Sequence, residues 1–164
     1  FLRLPDGYVV ANDTMIEHPE SLRNLYSSKI NSIAAIDKST RSSSLEDLNL
    51  TLKQLLEKQR KGYKHVVFHI ARTYAIIKPE DHQDHLHSSM ILQENAKELA
   101  GVTIYLYEEY ASNRKPINVF PEDYLISAGT WGATASGLSD KGYDPTWDKG
   151  HNSWIGRQYF RKLD

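Results

Sequence analysis

The sequence contains no cysteine, and its 20 basic and 21 acidic residues almost cancel. Without cysteine there is no disulfide framework, no thiolate nucleophile and no cysteine-based zinc site. A formal net charge of −1 provides no electrostatic footprint for nucleic acid or for an anionic membrane, so a polyanion would need a local basic patch. No apolar run approaches the roughly 18 residues that a membrane span needs.

The 164 residues have the length and composition of one ordinary globular domain. Hydrophobic residues make up 40% and charged residues 25% of the chain, which is sufficient for a single core. We therefore expect residues 1–164 to form a single α/β domain. Because the chain begins with Phe1 rather than Met, we also expect it to be a processed product or a piece of a larger protein.

The first third of the chain predicts a hairpin, a helix and a buried strand. In "FLRLPDGYVVAND" two extended segments flank the turn residues Pro5 to Gly7, which predicts an N-terminal β-hairpin. The segment "HPESLRNLYSSKI" has helical spacing, with Pro19 suited to its first turn. The apolar run "NSIAAID" predicts a strand that ends at Asp37.

The middle of the chain alternates between helix and strand patterns. Leucines recur on one helix face in "SSLEDLNLTLKQLLEKQRKG", with capping-box spacing from Ser43 to Glu46 and a stop at Gly62. The run "YKHVVFHIA" is apolar enough to predict a strand covered on both faces. A second helix, from about Glu80 to Ala100, precedes the strand "VTIYLYEEY". This order predicts an α/β fold with a mostly parallel central sheet and flanking helices.

The last third of the chain shows no helical periodicity that we could identify. Four glycines fall between Gly129 and Gly142, and three tryptophans lie in the same part of the chain. Glycines at this density indicate turns and short extended pieces. We therefore predict an irregular aromatic C-terminal cap, with "SWIGRQYFRKL" as a short terminal helix.

Polar residues at the ends of the predicted strands are candidates for catalysis. Ligands of open parallel sheets bind beyond the carboxyl ends of the strands, where Asp37, His69 and one of Glu108 and Glu109 would lie. Two carboxylates and a histidine suffice for acid–base chemistry or for a divalent metal, which makes Asp37, His69 and Glu109 the catalytic candidates. The alternative is that polar residues stand there only because strands stop there. His65, at the strand entry, fits a structural role.

Two further segments carry candidate ligands. In "PEDHQDHLHSSM" the residues Asp81, His82 and His85 have the i, i+3 and i+4 spacing of a metal site, although a polar, solvated first helical turn explains them without a metal and is the favoured interpretation. The segment "SDKGYDPTWDKGHNSW" favours either a turn-rich cap or an aromatic, acid-rimmed pocket for a small polar ligand. The candidate ligand-binding residues are Arg72, Trp131, Tyr143, Trp147 and His151.

Four segments, "SIAAIDKST", "HVVFHIARTYA", "AGVTIYLYEEYASNRKPINVF" and "SAGTWGAT", follow one another within residues 32–134. Their order and spacing resemble those of the later half of a PIWI-type, RNase H-like domain. In active members of that family a catalytic Asp follows the strand that matches "HVVFH", whereas the matching position here is Ala71 or Arg72. The resemblance thus implies nucleic-acid binding without a complete nuclease site, with Arg114, Lys115, Lys38 and Arg41 as a modest basic patch.

Three classes of function remain from the sequence. A ligand-binding or sensory module without catalytic chemistry requires the fewest assumptions, with a small molecule or a partner domain of a larger protein as its partner. The alternatives are the RNase H-like nucleic-acid binder and a small metal-dependent hydrolase that uses the strand-end carboxylates. No cofactor is required beyond a divalent metal in the hydrolase.

Overall fold

A computed structural model of the chain describes residues 2–12, 14–72 and 82–163. The protein is a mixed α/β structure with two compact units. The first unit comprises Phe1–Leu106 with Lys162–Asp164, and the second comprises Tyr107–Arg161. Within the described ranges, no helix has the length and apolar character that crossing a bilayer requires.

The N-terminal hairpin is present, but its turn differs from the predicted one. Strands β1 (Tyr8–Ala11) and β2 (Thr14–Glu17) pair antiparallel, with Ala11 opposite Thr14. The chain therefore reverses after Ala11, where Asn12 takes a φ of 50°, a left-handed conformation that Asn tolerates well. The prediction of a turn at Pro5 to Gly7 was wrong, because Gly7 precedes β1 and its N–H donates to Asp84 Oδ2 at 2.8 Å.

A short helix and a second two-stranded sheet follow. Helix α1 spans Leu22–Tyr26 and is capped by Ser21, whose Oγ accepts from the Asn24 N–H at 3.1 Å. The predicted helix is thus confirmed, although it begins after Pro19. Strand β3 (Ile33–Ala34) pairs antiparallel with β4 (Arg41–Ser42). The "NSIAAID" run is therefore not a member of a parallel central sheet.

Helix α2 (Leu45–Arg60) confirms the leucine periodicity. Its N-cap is Ser44, whose Oγ accepts from the Asp47 N–H at 3.1 Å, so the cap lies one residue after the predicted Ser43. Gly62 follows the helix with a φ of +90°, as a C-terminal glycine does. One face of α2 contributes to the first of two apolar clusters in this unit, whose buried members are Leu22, Leu25, Ile33, Leu48 and Ile91.

The largest sheet has three strands. Strand β5 (Val66–Ala71), helix α3 (Gln83–Ala96), strand β6 (Val102–Tyr107) and strand β7 (Phe160–Leu163) give the strand order β5-β6-β7. The expectation of a mostly parallel central sheet is not confirmed. The C-terminal segment predicted as a helix ends instead in β7. The sheet and α3 enclose a second apolar cluster, whose buried members are Ile70, Ala96, Ile104 and Leu106.

Among the described residues of β5, one face packs on the core and the other contains exposed side chains. Along β5 the exposed Val67 and His69 alternate with Phe68 and the buried Ile70. The prediction that β5 is covered on both faces was therefore wrong. Apolar residues do occupy the solvent side, where they make the run too continuous for alternation to be recognised in the sequence.

The second unit is mainly helical, which corrects the prediction of an irregular aromatic cap. A 3-10 helix (Tyr110–Arg114) precedes the 20-residue helix α4 (Pro121–Asp140), and α5 spans Lys149–Asn152. Pro121 stands in the first turn of α4 with Glu122 and Asp123, all favourable at a helix start. The less exposed positions of α4 follow a helical period at Tyr124, Ala128, Trp131, Ala135 and Leu138.

Candidate functional site

A cleft of about 610 Å³ lies within the second unit. Its volume falls in the range of about 300–1,000 Å³ that is common for small-molecule sites. The walls combine aliphatic, aromatic and charged side chains with backbone of the segment after α5. The lining residues are Val119, Asp123, Ile126, Ser127, Trp131, His151, Trp154, Ile155, Gly156, Arg157 and Gln158.

Helix α4 provides one wall of the cleft. Asp123, Ser127 and Trp131 follow one another at intervals of four residues, so they project from the same side of the helix. The indole N–H of Trp131 donates to Asn152 Oδ1 at 2.9 Å. This bond ties the edge of the ring to the end of α5 and satisfies its only polar atom.

The facing wall is formed by α5 and the residues after it. The His151 ring stacks with Trp131 at a centroid distance of 6.4 Å and meets Trp154 edge-on at 6.2 Å. The Trp154 indole N–H donates to the Tyr110 carbonyl at 3.1 Å. Both tryptophans therefore have their polar edges bonded to the protein and present carbon surface to the cleft.

A carboxylate fixes the orientation of His151. Asp148 caps α5 and accepts from the His151 backbone N–H at 2.9 Å, while its second oxygen lies 2.5 Å from His151 Nδ1. These two hydrogen bonds, the backbone one first, lower the pKa of Asp148 below its ordinary value. The carboxylate is consequently ionised at neutral pH.

The guanidinium of Arg157 serves the backbone at the cleft. Its Nε donates to the Lys115 carbonyl at 2.6 Å, and Nη1 donates to the carbonyls of Ser153 and Ile155, the latter at 3.3 Å. Arg157 thereby links the residues that follow α5 to the segment that precedes α4. Three of its donor contacts are directed at carbonyls rather than into the cleft.

The predicted ligand-binding residues fall in different places. Trp131 and His151 line the cleft. Trp147 is 51% exposed and packs near Gly132, where an added Cβ would lie 3.4 Å from its ring, and Tyr143 is 67% exposed. Arg72 belongs to the first unit, directly after β5.

The catalytic candidate Asp37 lies in the turn between β3 and β4. It forms an ion pair with Arg3 at 2.5 Å and accepts from Ser39 Oγ at 2.7 Å and from the Ser39 N–H at 3.1 Å. The Ser39 hydroxyl, and then the Ser39 backbone N–H, lower the pKa of Asp37. These contacts shape the turn, and they lie in a different sheet from β5.

The other two catalytic candidates lie on β5 and just after β6. His69 lies on the solvent face of β5, where its ring stacks with Tyr105 of β6 at 5.6 Å and an interplanar angle of 12°. His65 contacts Thr103 Oγ1 at 3.2 Å on the same pair of strands. Glu109 stands in the second unit at the start of the 3-10 helix. Because β3 belongs to another sheet, Asp37 does not share a sheet edge with the ends of the neighbouring strands β5 and β6, as the prediction required.

Of the predicted metal ligands, Asp81 lies outside the described residues. His82 caps α3 through Nδ1, which accepts from the Asp84 N–H at 3.2 Å, and its ring lies 5.7 Å from that of His85. One ligand atom each from His82, Asp84 and Asp6 lies within 4.8 Å of the others. Asp6 comes from the segment before β1, a partner that spacing along the chain could not indicate.

The sequence interpretation missed Asp123, Ser127 and Trp154. A signal for the first two was present, since both lie on the same helical stripe as Trp131. It went unnoticed because the glycines of α4 argued against a helix. Trp154 had no comparable signal, because its position depends on the chain reversal after α5.

Comparisons with protein-family models, with curated proteins and with solved structures found no match to this chain. The chemistry of the cleft must therefore be judged from its own geometry.

Proposed function

We propose that the protein is a ligand-binding module and that the cleft of the second unit binds a small organic molecule. The observation that carries this proposal is the convergence of Trp131, His151 and Trp154 on a cleft of about 610 Å³. Aromatic walls with a few fixed polar groups are typical of sites that bind small molecules.

The hydrogen bonds around the cleft support binding rather than catalysis. Trp131, Trp154 and Arg157 are all held by bonds to the protein, and His151 is held by Asp148. A site whose walls are fixed before the ligand arrives loses little side-chain entropy on binding. The proposed module therefore needs no catalytic set.

The test is a thermal-shift screen of the full chain against small organic molecules, repeated with Trp131→Leu. A ligand at about 100 times its Kd stabilises the folded state by about 2.7 kcal/mol, which is a readily measured increase in Tm. We expect at least one compound to stabilise the native protein and to lose this effect in Trp131→Leu.

Trp147→Leu is the matched control, because it removes the same side chain from an exposed position that does not line the cleft. Compounds that stabilise the native protein should stabilise this variant equally. A screen without hits, or hits that stabilise Trp131→Leu as strongly as the native protein, would contradict the proposal.

A further inference from the structure

We infer that the ligand of the cleft is an organic cation, an ammonium group with alkyl substituents. This inference rests on the proposed function and adds the chemical class of the ligand. Three features support it: the aromatic faces, the acidic groups at the cleft, and the hydrogen bonds that Arg157 donates to backbone carbonyls.

The aromatic faces favour a cation over a neutral apolar molecule. Trp131 and Trp154 line the cleft, and each has its indole N–H bonded elsewhere, to Asn152 and to the Tyr110 carbonyl. What remains for a ligand is the part of each π surface that the neighbouring rings of His151 and Tyr110 leave uncovered, and this surface carries negative charge density on its face. Tryptophan is the strongest cation-binding aromatic side chain.

One acidic side chain of the cleft wall is exposed and available to a ligand. Asp123 is exposed in the first turn of α4 and lines the cleft. A second carboxylate, Asp148, does not line the cleft itself but is hydrogen-bonded to His151, which does. An alkylammonium group against the indole faces would therefore have the Asp123 carboxylate nearby, whereas Arg157, the cation that lines the cleft, directs three of its N–H groups to backbone carbonyls.

An anionic ligand would find a weaker set of partners in the cleft. Arg157 is the cation that lines the cleft, and its Nε and Nη1 already donate to three backbone carbonyls. Turning these donors towards a carboxylate or phosphate would leave the carbonyls of Lys115, Ser153 and Ile155 without those hydrogen bonds. An anion would therefore have the remaining N–H groups of Nη2 but would lie beside the Asp123 carboxylate and against indole faces that attract cations.

The experiment compares choline with 3,3-dimethylbutan-1-ol, its uncharged carbon analogue of the same shape. The full chain has three tryptophans, so its three indole N–H signals can be followed by ¹H–¹⁵N NMR and assigned with single substitutions. We expect choline to shift the Trp131 and Trp154 signals and leave Trp147 unchanged. A cation over indole faces should bind about tenfold more tightly than the neutral analogue.

Asp123→Asn tests the charge, with Glu122→Gln as the matched control. Both residues lie in the first turn of α4, so both substitutions remove the same charge from the same helix end, but only Asp123 lines the cleft. Asp123→Asn should weaken choline binding about two- to fivefold and leave the neutral analogue unaffected, as expected for an exposed ion pair. Glu122→Gln should change neither.

The outcomes separate this inference from the function on which it rests. Equal binding of choline and its neutral analogue, no choline binding at all, or indole shifts with benzoate instead would each overturn the organic cation. The ligand-binding module would survive any of these results as long as some compound stabilises the protein in a Trp131-dependent way. Only the thermal-shift screen with Trp131→Leu could contradict the ligand-binding module.

Discussion

The close approach of Gly101 to the backbone of Lys64 makes Gly101→Ala an informative substitution. Gly101 stands just before β6 with a φ of +72°, and its carbonyl accepts from the Val66 N–H at 2.9 Å. A Cβ added there would lie 2.6 Å from the Lys64 carbonyl oxygen, a distance at which one of the two backbones must shift. The variant therefore combines backbone strain with a collision at the start of the β5–β6 pairing.

Gly62→Ala provides the reference, because it carries the strain without the collision. Gly62 has a φ of +90°, and an added Cβ would meet nothing within 4 Å. A left-handed conformation costs a residue other than glycine about 1–2 kcal/mol. Both variants also lose the same freedom in the unfolded chain, so that effect cancels between them.

The difference between the two variants therefore isolates the collision. Displacing Lys64 weakens the hydrogen bond between Val66 and Gly101, and one such bond contributes about 0.5–1.5 kcal/mol. We expect Gly62→Ala to lower the free energy of unfolding by about 1 kcal/mol and Gly101→Ala to lower it by about 1 kcal/mol more. Urea denaturation followed by circular dichroism measures both. Equal destabilisation by the two substitutions would refute the reasoning.

Two further predictions concern side-chain hydrogen bonds. Ser44→Ala removes the acceptor of the Asp47 N–H at the start of α2 and should lower the free energy of unfolding by about 1 kcal/mol. Ser44→Asp should retain the free energy of unfolding of the native protein. If Ser44→Asp lowered it as much as Ser44→Ala does, capping by this side chain would be contradicted. Tyr26 donates to Glu94 at 2.8 Å, and this hydrogen bond, ahead of burial, raises the Tyr26 pKa above 10.0. The stability it contributes is thus present below pH 10 and is lost as the pH rises through the higher folded pKa. Tyr26→Phe should remove this alkaline component of the pH dependence of Tm. An unchanged profile would exclude the contribution.

The elements that could be predicted from the sequence are those whose patterns are local. The leucines of α2 repeat at a helical period, and the apolar strands β5 and β6 contrast clearly with their polar neighbours. Strand pairing could not be predicted in the same way. Ile33 and Ala34 have the composition of a buried strand, but their antiparallel partners, Arg41 and Ser42, belong to a polar segment.

Helix α4 was missed because intrinsic propensity conflicts with packing. Gly129, Gly132 and Gly137 each lower helix propensity by about 1 kcal/mol relative to Ala. The interval from Tyr124 to Ala135 nevertheless has a helical stripe, and burial of that stripe outweighs the propensities.

The candidate site was predictable only in part. The aromatic and acidic composition near the C-terminus drew attention to Trp131 and His151, which the cleft brings together. Asp123 was not predicted, because its place beside them depends on two turns of an unrecognised helix. The cluster of Asp6 with His82 and Asp84 depends on a contact between distant parts of the chain, which spacing does not encode.

The glycines of α4 affect the dynamics of this wall of the cleft. A helix with three glycines relies on its neighbours for stability, so its amide hydrogens should exchange with solvent through local opening. Such opening would separate Asp123 and Trp131 from the residues that face them. A molecule bound between the walls would therefore have to suppress the local opening of α4. Part of its binding free energy would offset the conformational entropy that the helix loses.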